Sequence, residues 1–498
     1  MFYNIKLVEL RNKKLLINKV FVEFYLKVIA VNYCFSSCFY SYLIDIFCYV
    51  ICIITNPNIH FIYYLNLEIL DGSDMFPVQR KSLLDLLPPL FLSMFLPLSL
   101  AFQVNASETD NDKLQFSGFA TLGMVYSDSD QYGYRKGVSS DGAVSSGDFD
   151  FKQHSLLGLQ ADWSISPKFD AVYQGVLRDL PESSFDRYTT LAFLRYEVDA
   201  HWSIRIGRTA PDIFLLTEYR DVDFSYAWAT APNEVYGIVP YRSIDGIDVT
   251  YSQRGLGGFF TGKLFTGSSE GEISDSSIIE TIKIKNIMGV ALSFDHFNWI
   301  VHVKHSQVTI DNEPKSNAFL ANSINQVPDF LWPNSSEFAQ SILMTGEDVN
   351  YSSISGQYQW QRWLASAEWS QIKSKSAVLP KITSAYAALS YEMDVHQFYS
   401  IYAFTESSTY VFDEPGVNEA VLGELIYGIN EAMNFYSPDQ ETFSLGWRHD
   451  ISSNMAASFQ WNYTKLDKSG TTLWLSKPGQ PRTSENINTF FLTLSVVF

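Results

Sequence analysis

Cysteine is the first thing this chain does without. All four, Cys34, Cys38, Cys48 and Cys52, fall within residues 1–74, and none follows. A long cysteine-free region is not a disulfide scaffold. The two Cys-x3-Cys pairs sit in an apolar stretch with no histidine partners, so neither a metal site nor a cofactor is expected. Long apolar runs are also missing: beyond Ala106 nothing approaches the roughly 20 residues of a membrane helix. Basic residues are scarce there, with 27 Lys and Arg against 47 Asp and Glu and a formal charge of −20. That surface excludes nucleic acid as a partner. Catalytic signatures are missing too: no Gly-x-Ser-x-Gly elbow, no phosphate loop, no His-Glu-x-x-His. His302 and His305 have opposite parities in one extended segment and cannot share a site. The chain therefore reads as non-enzymatic.

A leader comes before the acidic region. Met75-Phe-Pro-Val-Gln-Arg-Lys81, the apolar Leu83–Leu100 and Ala101-Phe-Gln-Val-Asn-Ala106 are the three parts of a secretory signal. Cleavage is expected after Ala106, with Ala101 as the alternative. Residues 1–74 then read as an upstream extension translated in error. The competing reading is a membrane helix near Phe39–Thr55, which is short and carries Asp45.

From residue 107 to 498 the pattern has a period of two. It predicts about sixteen strands: 114–126, 149–165, 168–179, 187–199, 201–208, 243–254, 257–267, 280–295, 297–309, 346–360, 362–374, 382–393, 395–406, 440–450, 453–466 and 486–498. Tight links such as Ser166-Pro167 and Asp199-Ala200 alternate with long polar ones. That asymmetry belongs to an all-β, transmembrane antiparallel barrel. An even strand count puts both termini on the short-turn side. The last strand ends on an apolar face of Phe490, Leu492, Leu494, Val496 and Phe498.

Parity assigns Lys152, His154, Arg178, Arg195 and Arg205 to one basic stretch of the inner wall. The long connection that follows, Thr209–Arg242, holds Asp212, Glu218, Asp221 and Asp223. It is also aromatic, with Phe214, Tyr219, Phe224, Tyr226, Trp228 and Tyr236. A long connection of that composition packs against something.

Ser203-Ile-Arg-Ile-Gly-Arg-Thr-Ala-Pro211, a strand running into this acidic loop, resembles the fifth strand and third loop of the Gram-negative general porins. The resemblance is architectural over 107–498 and residue-level around 203–250 and the C-terminus. It implies a trimeric, sixteen-stranded outer-membrane porin whose third loop folds inward. Asp212, Glu218, Asp221 and Asp223 would then face the basic wall across a water-filled constriction passing small hydrophilic solutes and ions. The family's Pro-Glu-Phe-Gly-Gly loop turn is absent here. The resemblance also implies contact with outer-membrane lipid and lipopolysaccharide, and makes the C-terminal aromatic strand an assembly signal for the barrel-assembly machinery. Two alternatives remain: an anion-selective channel of the same fold, and a surface-display barrel with a plugged lumen.

Overall fold

The computed structural model describes residues 113–274, 279–467, 472–477 and 483–498. The expected leader and the 1–74 extension lie outside the described residues. Sixteen long strands follow in order. They are β1 (Leu114–Ser127), β2 (Leu156–Ser166), β3 (Phe169–Arg178), β4 (Thr189–Glu197), β5 (Trp202–Thr209), β6 (Ile244–Gly255), β7 (Gly258–Ser274) and β8 (Ile279–His296). The second half is β9 (Trp299–Ile310), β10 (Asp348–Trp360), β11 (Trp363–Ser374), β12 (Ile382–Met393), β13 (His396–Ser407), β14 (Gln440–Ser452), β15 (Met455–Leu466) and β16 (Glu485–Val497).

Each strand pairs antiparallel with the next. β16 then pairs with β1, from Phe119↔Val497 to Ser127↔Thr489. The sheet is a closed barrel, and closure removes every unpaired edge. Among the described residues no helix is long and apolar enough to cross a membrane.

One parity of each strand is apolar and exposed. Leu159, Leu177, Leu194, Ile206, Leu264, Leu292, Ile354, Leu389 and Leu445 all point away from the barrel interior. Trp163, Trp202, Trp299, Trp360 and Trp363 are exposed beside the short turns. An apolar band with an aromatic rim suits a surface that meets lipid. The other parity is short and hydroxylated from β9 to β15: Ser306, Ser353, Ser355, Ser366, Ser370, Ser384, Ser390, Thr442, Ser444 and Thr464 are all buried. Small inner side chains leave room in the lumen, and loops occupy it.

Two strand expectations need correction. The strand expected over 149–165 is broken. Phe149–Asp150 pairs briefly with β1, a turn follows, and β2 begins at Leu156. The cause is local: Asp150 Oδ1 accepts from the Lys152 and Gln153 backbone N–H groups, both at 2.8 Å, and bends the chain. Second, β7 runs on beyond the expected 267 to Ser274, paired with β8 as far as Ser274↔Ile279.

Candidate functional site

The connection between β5 and β6, residues 210–243, folds into the barrel as its composition suggested. Its apolar side packs on the hydroxylated wall. Ile213, Phe214, Leu216, Trp228, Ala229, Val235 and Tyr236 form one cluster with Tyr351, Tyr386, Tyr399 and Ile401. Phe214 lies edge-on to Tyr351 at 5.7 Å, and Trp228 edge-on to Tyr386 at 5.5 Å. Burying each such ring removes apolar surface worth about 1.5–3 kcal/mol.

Directed hydrogen bonds fix the loop on that wall. Ser353 Oγ donates to the Ile213 carbonyl at 2.8 Å, and the Leu215 N–H donates to Glu368 on β11 at 3.2 Å. Tyr236 Oη donates to the same carboxylate at 2.7 Å. The Ala229 N–H donates to Tyr399 Oη at 2.9 Å and the Thr230 N–H to Gln460 Oε1 at 3.3 Å. Gln440 and Thr442 on β14 donate to Glu234. Arg448 holds the Phe224 and Tyr226 carbonyls at 2.8 and 2.7 Å.

The opposite side of the loop meets β3–β9 through charge. Arg178 reaches Asp221 at 2.7 Å, and Arg242 reaches the other oxygen of that carboxylate at 3.0 Å. Burial raises the Asp221 pKa, but Arg242 and Arg178 together outweigh it and hold the carboxyl below its ordinary value. Asp212 sits between Lys263 at 2.8 Å and Lys304 at 2.7 Å. Burial opposes its ionised form, and the two ammonium groups again win. Glu218 bridges Arg205 at 3.5 Å and Lys263 at 3.4 Å, and its side chain stays 60% exposed.

One register row supplies the wall's own carboxylates: Asp170↔Arg195, Arg195↔Arg205 and Arg205↔Asp248 are direct cross-strand partners. Arg195 bonds Asp170 at 3.0 Å, and Arg205 bonds Asp248 at 3.0 Å. Antiparallel neighbours stand close enough for such pairs to form within the sheet.

The sequence-expected residues thus divide. Arg178, Arg195 and Arg205 lie on the inner wall, and Asp212, Glu218 and Asp221 lie along the same charged seam. Asp223 does not join it: it is buried and accepts a hydrogen bond from the Tyr226 hydroxyl. Lys152 and His154 are not on a strand. Lys152 Nζ bridges Asp141 at 2.6 Å and Asp179 at 3.0 Å, on the long-loop side. His154 is buried, stacked on Tyr134 at 5.9 Å and edge-on to Phe491 at 5.1 Å. Burial, then Lys136, pushes its pKa down, so it adds no positive charge near neutral pH. Of the expected acids and bases, Arg178 with Asp221 and Arg205 with Glu218 touch directly instead of facing each other across an open gap. Sequence reading did not single out Lys263, Lys304 and Asp248. The inward parity of 257–267, 297–309 and 243–254 was the available signal for all three.

At the long-loop end of the seam a small cavity of about 50 Å³ is lined by Arg178, Arg187, Arg208, Arg242, Asp186 and Glu272, among others. Arg242 therefore joins this cavity to the Asp221 pair below it.

Closed sixteen-strand barrel, apolar exterior and ion-paired lumenal loop define a membrane β-barrel with a folded-in third connection. No family model matches the chain, and no curated protein matches it. Among solved structures the fold matches an anion-selective porin from Comamonas acidovorans: 14% identity, 77% of this chain, 99% of that chain, TM-score 0.45. It matches the outer-membrane channel DcaP of Acinetobacter baumannii at 10% identity, 77% and 97% coverage and TM-score 0.46. It also matches outer-membrane expressed OmpT of Vibrio cholerae at 12%, 78%, 99% and 0.44.

Proposed function

We propose that this chain is a non-enzymatic outer-membrane channel for small hydrophilic solutes and ions, whose passage follows the charged seam between the third loop and the β3–β9 wall. The observation that carries this reading is the sidedness of the loop. Against β10–β15 it is dry and aromatic; against β3–β9 it is ionic, with Glu218 60% exposed and Arg195 41% exposed. Fixed charges of both signs in a narrow hydrated gap orient dipolar solutes and disfavour apolar ones. Arg178, Arg195, Arg205 and Lys263 form the basic side of the constriction; Glu218, Asp221 and Asp212 form the acidic side. Ion pairs already join these groups, so the passage is narrower than one between opposed, unpaired rows. The reading includes assembly as a homotrimer, contact with lipid and lipopolysaccharide, periplasmic termini, and delivery to the barrel-assembly machinery through Phe490, Leu492, Leu494, Val496 and Phe498.

The test is single-channel recording in planar bilayers. Small, ohmic steps that do not saturate with solute support the proposal. Saturation by one anion favours a selective channel.

A plugged barrel is the second reading. Its support is that the loop also reaches the β1–β3 sector, where Val222 packs against the buried Phe119, Leu156 and Val176. Electrical silence of correctly folded protein favours it.

A further inference from the structure

We infer that the helical cap at the long-loop end is a docking surface for a cationic polypeptide segment that also carries apolar side chains. The cap is built from α1 (Lys315–Asn325) and α2 (Ser335–Ser341) in the connection after β9, and α3 (Glu419–Met433) in the connection after β13. It has a core of its own, in which Ile324, Trp332, Phe338, Ile342, Ile429 and Met433 are buried. The two connections are tied together at that core. Asn418 N–H donates to the Leu331 carbonyl at 2.8 Å, and Trp332 meets Phe412 edge-on at 5.3 Å.

Two features of its outer surface stay without counterparts among the described residues. The first is apolar: Phe330 is 82% exposed, Phe319 75%, Tyr427 67% and Val421 61%. Phe330 adjoins the Leu331–Asn418 contact, and Val421 lies one turn beyond Asn418. Val421, Glu424 and Tyr427 recur every three residues and share one face of α3.

The second feature is charge. Residues 311–347 and 408–439 contain eleven carboxylates and one basic residue, Lys315. Inside the barrel, Asp170, Asp212, Asp221 and Asp248 all have cations in contact. Among the described residues, Asp329, Asp413, Glu414, Glu419 and Glu424 of the cap have none within ion-pair distance.

The two features together select the occupant. A divalent cation would neutralise carboxylates but leave four large apolar side chains wet. Anionic lipid would cover apolar surface but be repelled by the carboxylates. A basic amphipathic segment satisfies both, through charge complementarity that steers encounter and apolar burial that holds the complex.

The experiment uses the full chain in phosphatidylcholine nanodiscs and a fluorescent 18-residue Lys/Leu amphipathic peptide, read by anisotropy. The parent is expected to bind it with salt-sensitive affinity. D329N/E419Q/E424Q and F330S/Y427S are each expected to weaken binding at least tenfold while conserving heat-modifiable mobility. A Lys→Glu peptide is expected not to bind. Parent-like binding by either variant overturns the inference, as does equal binding of the acidic peptide. A loss confined to the carboxylate variant and matched by calcium competition also overturns it, reducing the cap to a cation site.

Discussion

Arg205 shows how the inner wall handles charge. Its side chain is 14% exposed and pairs through the guanidinium with Asp248, whose side chain is 2% exposed. Removing one partner of a buried pair leaves the other uncompensated, at a cost of about 3–5 kcal/mol. Asp248→Ala should therefore lower the temperature at which the folded band disappears in heat-modifiability gels. Glu218→Gln should leave that temperature unchanged, because this carboxylate is solvated and its ion pairs are worth at most about 1 kcal/mol. Its effect should appear in the reversal potential, which shifts toward anions as the seam loses an accessible negative charge. Two other groups set a pH window. His154 has a folded pKa pushed below about 6.5, so the unfolded loop binds the proton more readily. Its contribution is present above about 6.5 and declines as pH falls below that value. Asp221 has a folded pKa below its unfolded value near 3.9, so its contribution holds above about 3.9 and is lost only in stronger acid. Between these limits the first connection should become protease-sensitive while the seam stays paired. His154→Gln should remove that pH dependence; cleavage of the variant that still follows pH would sink the assignment.

At the scale of elements, the third loop was legible because its composition contradicts an exposed loop. Phe214, Trp228 and Tyr236 need a wall, and the alternation of β9–β15 offered one of serines and threonines. What composition could not reveal is which wall residues meet it, since that depends on register across strands far apart in sequence. Glu368 is such a case: its inward parity was readable, but its bonds to Leu215 and Tyr236 were not. The broken second strand is the opposite case. The turn signal, Asp150, lay in the sequence, but the flanking Phe149 and Phe151 read as extended chain. His154 was consequently placed on a lumenal wall when the turn buries it against Phe491. The Glu368 anchor can be tested directly. Tyr236→Phe removes one donor to a buried carboxylate, about 1–3 kcal/mol of local anchoring. Single-channel traces of that variant should show added open-state noise or subconductance steps, with the barrel's heat resistance retained. Traces as quiet as the parent's would mean the remaining contacts suffice without this bond.

For the whole molecule, barrel and loop make separable contributions. The wall closes through its own ladder, finishing where Phe498 and Gly118 exchange backbone hydrogen bonds of 2.9 and 2.8 Å. None of those ladder bonds involves residues 213–236. Removing that segment and bridging the gap with a short Gly/Ser linker should therefore leave a folded barrel. The hydroxylated faces of β9–β15 would then be wetted instead of holding Trp228 and Phe214, which is tolerable for serine and threonine. The Arg205–Asp248 and Arg195–Asp170 pairs would persist because both partners belong to the wall. The Arg178–Asp221 and Lys304–Asp212 pairs would be lost with the loop's anchoring. Conductance should rise several-fold over the parent, and cation–anion discrimination should shrink as the gap widens beyond the roughly 8 Å screening length of physiological salt. A folded deletion variant with parent-like conductance would show that the third loop is not the constriction.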